Sequence, residues 1–144
     1  MKEQERKFLL NFLPHTEERP HTIEQGYLMF EGNKHLRVRV IDGMFGFLTY
    51  KTIISDIIKT EFEYQIPYED AKELLSTTNI KLSKLRYKTE FNGDLVDIDI
   101  YPTGERVVEI EYENELTELP TYCGREITGE KEYSNIWIAK RNSL

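Results

Sequence analysis

A single cysteine, Cys123, is all the thiol chemistry in this chain of 144 residues, which excludes an intramolecular disulfide and a cysteine-rich zinc site. No apolar run approaches the ~20 residues a membrane helix needs, and the opening Met1-Lys2-Glu3-Gln4-Glu5-Arg6-Lys7 is too charged for a secretory leader. A basic excess is missing too. With 19 Lys and Arg against 26 Asp and Glu the net charge is −7, which argues against a nucleic-acid polymer or an anionic membrane as partner. No Pro/Gly linker, repeat or low-complexity tract divides the chain, so residues 1–144 read as one domain, and a cytoplasmic location is the expectation. Hydrophobic residues are scarce at 39% but sufficient for a core, while charged residues reach 31%. Their placement carries the information.

Short strand-like runs recur with a charge at every second position, and residues i and i+2 of a strand share a face. Glu3, Glu5 and Lys7 do so in the first run; Arg37 and Arg39 in Leu36-Arg37-Val38-Arg39-Val40; Thr49 and Lys51 in the next. Glu61 and Glu63 follow, then Lys84, Arg86 and Lys88, then Asp97 with Asp99, then Glu109 with Glu111. Turns separate the runs at Gly32-Asn33, Asp42-Gly43, Asn92-Gly93 and Thr103-Gly104. Two stretches read as helix: Tyr68 to Leu75 after Pro67, and the tail from Glu130 to Arg141, with Tyr133, Ile136, Trp137 and Lys140 at helical spacing. The stretch Pro14 to Gln25 reads as a loop or short helix.

One Glu-x-Glu strand means no more than a wetted sheet face. Here the charges are sorted, with most runs wholly acidic or wholly basic and little neutral polar filler, unlike the mixture of a generic soluble surface. So many antiparallel strands close readily into a barrel, which removes sheet edges. If the charged faces point inward, apolar residues such as Val38 and Ile98 point outward, to be covered by the helices and by a possible second subunit. A charged interior costs several kcal/mol per unpaired ion, so a ligand should complete it. The basic set Lys7, Arg37, Arg39, Lys51, Lys84 and Arg86 suits a polyanion. The acidic set Glu3, Glu5, Asp97, Asp99, Glu109 and Glu111 suits hard divalent cations, Mg²⁺ or Mn²⁺, that bridge to phosphate.

These residues also resemble a known family. Glu3-Gln4-Glu5-Arg6-Lys7 is similar to the Glu-x-Glu-x-Lys signature that opens CYTH, or triphosphate tunnel, proteins. Tyr27-Leu28, Leu36-Arg37-Val38-Arg39, Leu48-Thr49-Tyr50-Lys51, Glu61-Phe62-Glu63, Lys84-Leu85-Arg86-Tyr87, Val108-Glu109-Ile110-Glu111, Glu126-Ile127-Thr128-Gly129 and Tyr133-Ser134-Asn135 resemble the later blocks, in the family's order. Departures fall at Leu95 or Val96, where the family often carries Trp, and at Cys123 before Gly124. The resemblance implies an α+β, mainly β fold: a closed eight-stranded antiparallel barrel with a few flanking helices, acting as a metal-dependent triphosphatase on a small-molecule triphosphate. It implies Glu3, Glu5, Glu109, Glu111 and one of Asp97 and Asp99 as metal ligands, with Arg37, Arg39, Lys51, Lys84 and Arg86 on phosphate. Lys7 and Tyr27 resemble a pair that helps activate the attacking water, although Tyr27 reads nearly as well as a core aromatic. Glu61 and Glu63 read equally as arginine partners or metal ligands.

Inorganic triphosphate is the simplest substrate, since no segment is evident for a nucleobase. The alternatives are a class IV adenylate cyclase, a thiamine triphosphatase and a polyphosphate-binding module without catalysis. His15, His21 and His35 read as surface loop, Cys123 as a packing residue, and Tyr133 and Trp137 as the apolar face of the tail helix.

Overall fold

The computed structural model describes residues 1–144. In chain order the elements are β1 (Lys2–Leu10), β2 (His21–Glu31), β3 (Lys34–Ile41), β4 (Phe45–Ile53), β5 (Ile58–Ile66), α1 (Tyr68–Ser76), β6 (Lys81–Phe91), β7 (Asp94–Ile100) and β8 (Arg106–Glu111). A short β9 (Cys123–Glu126), a 3-10 turn at Lys131–Tyr133 and α2 (Asn135–Asn142) complete it. The sheet runs β5-β4-β3-β2-β6-β7-β8-β1, and β1 returns to β5 through Lys2↔Thr60, Glu3↔Lys59 and Gln4↔Ile58, so eight antiparallel strands form a closed ring. Strand β9 adds to β1 outside that ring. No helix is long and apolar enough to cross a membrane.

Register decides what the ring encloses. Glu5 pairs with Glu111, Lys7 with Glu109, Asp97 with Glu109, Arg86 with Asp99, and Lys51 with Glu61, so the alternating charges share the inner face. Two tight hairpins fix that register: Asp42 and Gly43 have φ of 55° and 61°, and Asn92 and Gly93 have 52° and 83°. Two successive positive φ values match the right-handed twist of the strands they join.

The outer face divides in two. Val38 and Val40 of β3 pack under Ala71 and Leu75 of α1. Gly46 of β4 permits the approach, since a Cβ there would lie 2.6 Å from the Ala71 Cβ. Phe8, Val96, Ile98, Val108 and Ile110 are covered by Tyr122 and Leu116, so the segment before β9 does work expected of a helix or second subunit. Tyr50, Phe62 and Tyr64 stay exposed. At one end of the ring the inward residues turn apolar, and Leu9, Leu82, Tyr101 and Val107 cluster with Ile136, Ile138 and Ala139 of α2.

Three local expectations are corrected. Residues from His21 onward are strand, because Ile23 and Gln25 face inward on a backbone paired to both β3 and β6. The tail helix begins at Asn135, not Glu130. Ser134 is extended (φ −75°, ψ 146°) and its hydroxyl accepts from the Trp137 N–H, so Tyr133 belongs to the preceding turn. Of the histidines only His15 lies in an exposed loop; His21 opens β2, 2.7 Å from Asp42, and His35 is buried in β3.

Candidate active site

The ring encloses a cavity of about 550 Å³. Of the residues singled out in the sequence, Glu3, Glu5, Lys7, Tyr27, Arg37, Arg39, Lys51, Glu61, Glu63, Arg86, Asp97, Glu109 and Glu111 line it. Lys84 and Asp99 lie behind the lining. Lys84 Nζ donates to Asp99 at 2.8 Å, and Arg86 donates to both Asp99 oxygens at 2.8 and 2.9 Å. Alternation put Asp97 and Asp99 on one face without ranking them. Depth separates them, since Asp99 is fully enclosed by its two cations while Asp97 borders the cavity.

The basic wall comes from β3 and β4. Arg39 donates two hydrogen bonds, 2.8 and 2.6 Å, to the side-chain amide oxygen Oε1 of Gln25. Burial, then the neighbouring Arg37 and Arg86, lower its guanidinium to about 9. Arg37 is 5% exposed and its Nε is buried without any partner. A buried donor left unpaired costs about 1–3 kcal/mol, more when charged, so this atom marks where an acceptor is missing. Lys51 is lowered to about 7 by burial, by Lys59 and by Arg37, with Glu61 opposing at 3.8 Å.

The acidic wall comes from β1 and β8. Glu5 is ion-paired with Lys59, and Glu109 lies 3.5 Å from Lys7. Burial pushes Glu109 up, but Lys7, Arg86 and Lys84 outweigh it and hold the carboxyl well below the usual range. Glu3 and Glu111 have no such partner. Burial and then the charges of Glu61, Glu111 and Glu5 raise Glu3 to about 7. Burial, Glu5 and Asp97 likewise raise Glu111. No three acids converge closely enough to form a finished metal cage. Even so, Glu3, Glu5 and Glu111 form an all-oxygen donor set whose mutual repulsion a cation would relieve, which fits a hard divalent ion.

Lys7 and Tyr27 both border the cavity but are not joined. Lys7 Nζ donates to the Tyr133 carbonyl at 3.3 Å, while the Tyr27 hydroxyl accepts from Gln25 Nε2 at 2.9 Å. Burial raises the Tyr27 hydroxyl above its ordinary value despite Arg37 nearby. The tail contributes more than an apolar face. Trp137 lines the cavity with Lys131 Nζ 3.9 Å and Lys140 Nζ 4.9 Å from its ring centre, and Asn135 accepts from Lys84 at 3.1 Å. Lys59 is the residue that sequence reasoning missed most avoidably. It stands two positions before Glu61, and extending the same alternation by one step would have found it.

The CYTH domain profile matches residues 1–136. The chain is also 38% identical over 124 residues to an inorganic triphosphatase of Acetivibrio thermocellus, spanning 81% of this chain and 78% of that relative. The chain belongs to the CYTH family. The crystal structure of an inorganic triphosphatase superposes with a TM-score of 0.70 at 28% identity, covering 95% of this chain and 93% of that one. A Pyrococcus horikoshii protein, at TM-score 0.66 and 23% identity over 98% of this chain and 89% of that one, shares the fold. The Glu3–Lys7 strand and the arginine strand β3 both line the ring's interior.

Proposed function

We propose that this CYTH chain, with residues 1–144 acting as one domain, is an enzyme that hydrolyses a linear triphosphate, most simply inorganic triphosphate, in the presence of Mg²⁺ or Mn²⁺. The observation that carries the reading is the buried, unpartnered Arg37 Nε on a basic wall opposite carboxylates short of cations. A triphosphate with its divalent ion supplies both missing halves at once. The similarity to inorganic triphosphatases supports the same substrate class.

In this reading Arg37, Arg39, Lys51 and Arg86 hold phosphate oxygens by charge-assisted hydrogen bonds and neutralise charge on the transferred group. Lys84 backs them from behind, fixing Asp99 and through it the Arg86 fork. Glu3, Glu5 and Glu111, with Glu109 and Asp97 beside them, would hold the divalent ion, which supplies charge neutralisation on the phosphate when bound. Lys7, held by Glu109 and the Tyr133 carbonyl, and the Tyr27 hydroxyl position the attacking water. Glu61 anchors Arg37 and Lys51 at 3.6 and 3.8 Å, and Glu63 accepts from Thr49 at 3.1 Å; both act as counter-charges to the basic wall.

The test is phosphate release from tripolyphosphate with MgCl₂ or MnCl₂, against a Glu5→Gln control. Turnover no faster than that control contradicts the proposal. An incubation with ATP, analysed by mass spectrometry, separates it from a cyclase, whose product would be cyclic AMP rather than free phosphate.

A further inference from the structure

His35 sits two residues before Arg37 and points to the same side of β3, into the cavity. It pairs with Phe30 on β2 and with Lys51 on β4, so its position is set from both sides. It is 8% exposed, and its ring meets Tyr27 edge-on with centroids 5.8 Å apart. The imidazole makes no hydrogen bond to the protein, and the charged groups around it are all cations: Arg37 on its own strand, Lys51 on β4 and Lys140 on α2. Glu61 on β5 is already engaged with Arg37 and Lys51. Lys140 lines the same cavity without a carboxylate partner, its Nζ 4.5 Å from the Phe30 ring centre.

We infer that His35 and Lys140 form an outer phosphate subsite that continues the Arg37–Lys51 wall, and that His35 takes up a proton when the polyanion enters. The inference rests on the triphosphate reading and adds a ligand and a proton to it. In the free protein a charged imidazole would add one more cation to a buried cationic cluster, and burial together with Lys51, Arg37 and Lys140 holds His35 down to about 4. A linear phosphate chain against that wall reverses the sign of the local potential, and an opposite charge within hydrogen-bond reach favours the protonated form by roughly 1–3 units for each neighbour. The proton goes to whichever ring nitrogen faces the phosphate oxygen, which it then donates to. No covalent step is involved.

The test follows the ring-carbon NMR signals of His15, His21 and His35 against pH in EDTA, with and without tripolyphosphate, using His35→Gln to identify the signal. The His35 midpoint should rise by roughly 2 units or more on binding, and those of His15 and His21 should not. An unmoved midpoint while calorimetry shows tripolyphosphate bound overturns the inference. A wild-type protein that binds no tripolyphosphate overturns the underlying triphosphate reading instead. One variant checks the role independently: His35→Gln should bind tripolyphosphate roughly tenfold more weakly than wild type at pH 6. Equal affinity of His35→Gln and wild type at pH 6 contradicts it.

Discussion

Lys84 Nζ and Asp99 Oδ2 meet at 2.8 Å with both side chains wholly shut off from solvent. The same carboxylate takes two bonds from Arg86, and these cations outweigh the burial that would otherwise raise it, holding Asp99 at about 2. One buried carboxylate therefore compensates two buried cations. Asp99→Asn leaves them opposed to each other, and breaking such a buried arrangement costs about 3–5 kcal/mol. Chemical denaturation measures this; a loss under about 1 kcal/mol would mean that water reaches the cluster.

Arg37 should matter to substrate capture more than to folding, because its Nε already lacks a partner in the free protein. Arg37→Ala should lower kcat/KM for tripolyphosphate by roughly 10- to 100-fold, the range for a lost charged hydrogen bond. Arg37→Lys should recover little, since a point charge cannot supply the planar fork. Steady-state kinetics with kcat/KM unchanged in both variants would place Arg37 outside the substrate's reach.

Glu3 predicts a pH dependence with a definite sign. Its carboxyl is raised from an ordinary 4.5 to about 7, so the folded state binds its proton more tightly than the unfolded chain does. The stability it contributes is fully present below about pH 4.5 and is lost as pH rises through 7. Melting temperatures measured in that window should fall with rising pH more steeply in wild type than in Glu3→Gln. Mg²⁺ should flatten the wild-type slope, because a cation favours the ionised carboxylate. Identical slopes in the two proteins would contradict this assignment.

Gly46 tests the outer packing separately from the site. A methyl there would meet the Ala71 Cβ at 2.6 Å and push α1 off β3 and β4. Gly46→Ala should cost about 1–3 kcal/mol by overpacking, read by thermal melting, with the calorimetric Kd for tripolyphosphate unchanged. A weakened Kd would show that the outer helix shapes the interior.

The inner face was legible because alternation is strict: a charge at i and i+2 cannot face both ways, and Arg37, Arg39, Asp97 and Glu109 all fall where parity puts them. Parity does not report depth, so it could not separate Asp97 from Asp99 or show Lys84 behind the wall. His35 carried the same parity as Arg37, but a lone histidine beside a turn carries no charge pattern, and its burial depends on Tyr27 and α2 arriving from distant sequence. The Leu116–Tyr122 cover had no periodic signal of its own, because irregular backbone buries side chains without repeating.

We hold that a metal-bound triphosphate completes the inward charges, and melting Lys7→Ala, chosen so that the ligand survives, with Mg²⁺, with tripolyphosphate, and with both, decides this. At ~100 times its Kd a ligand adds about 2.7 kcal/mol, a shift of several degrees for a domain of this size. Mg²⁺ alone and tripolyphosphate alone should each raise the melting temperature, and the two together should raise it by more than the sum. A combined shift no larger than that from sulfate at equal ionic strength would contradict the claim.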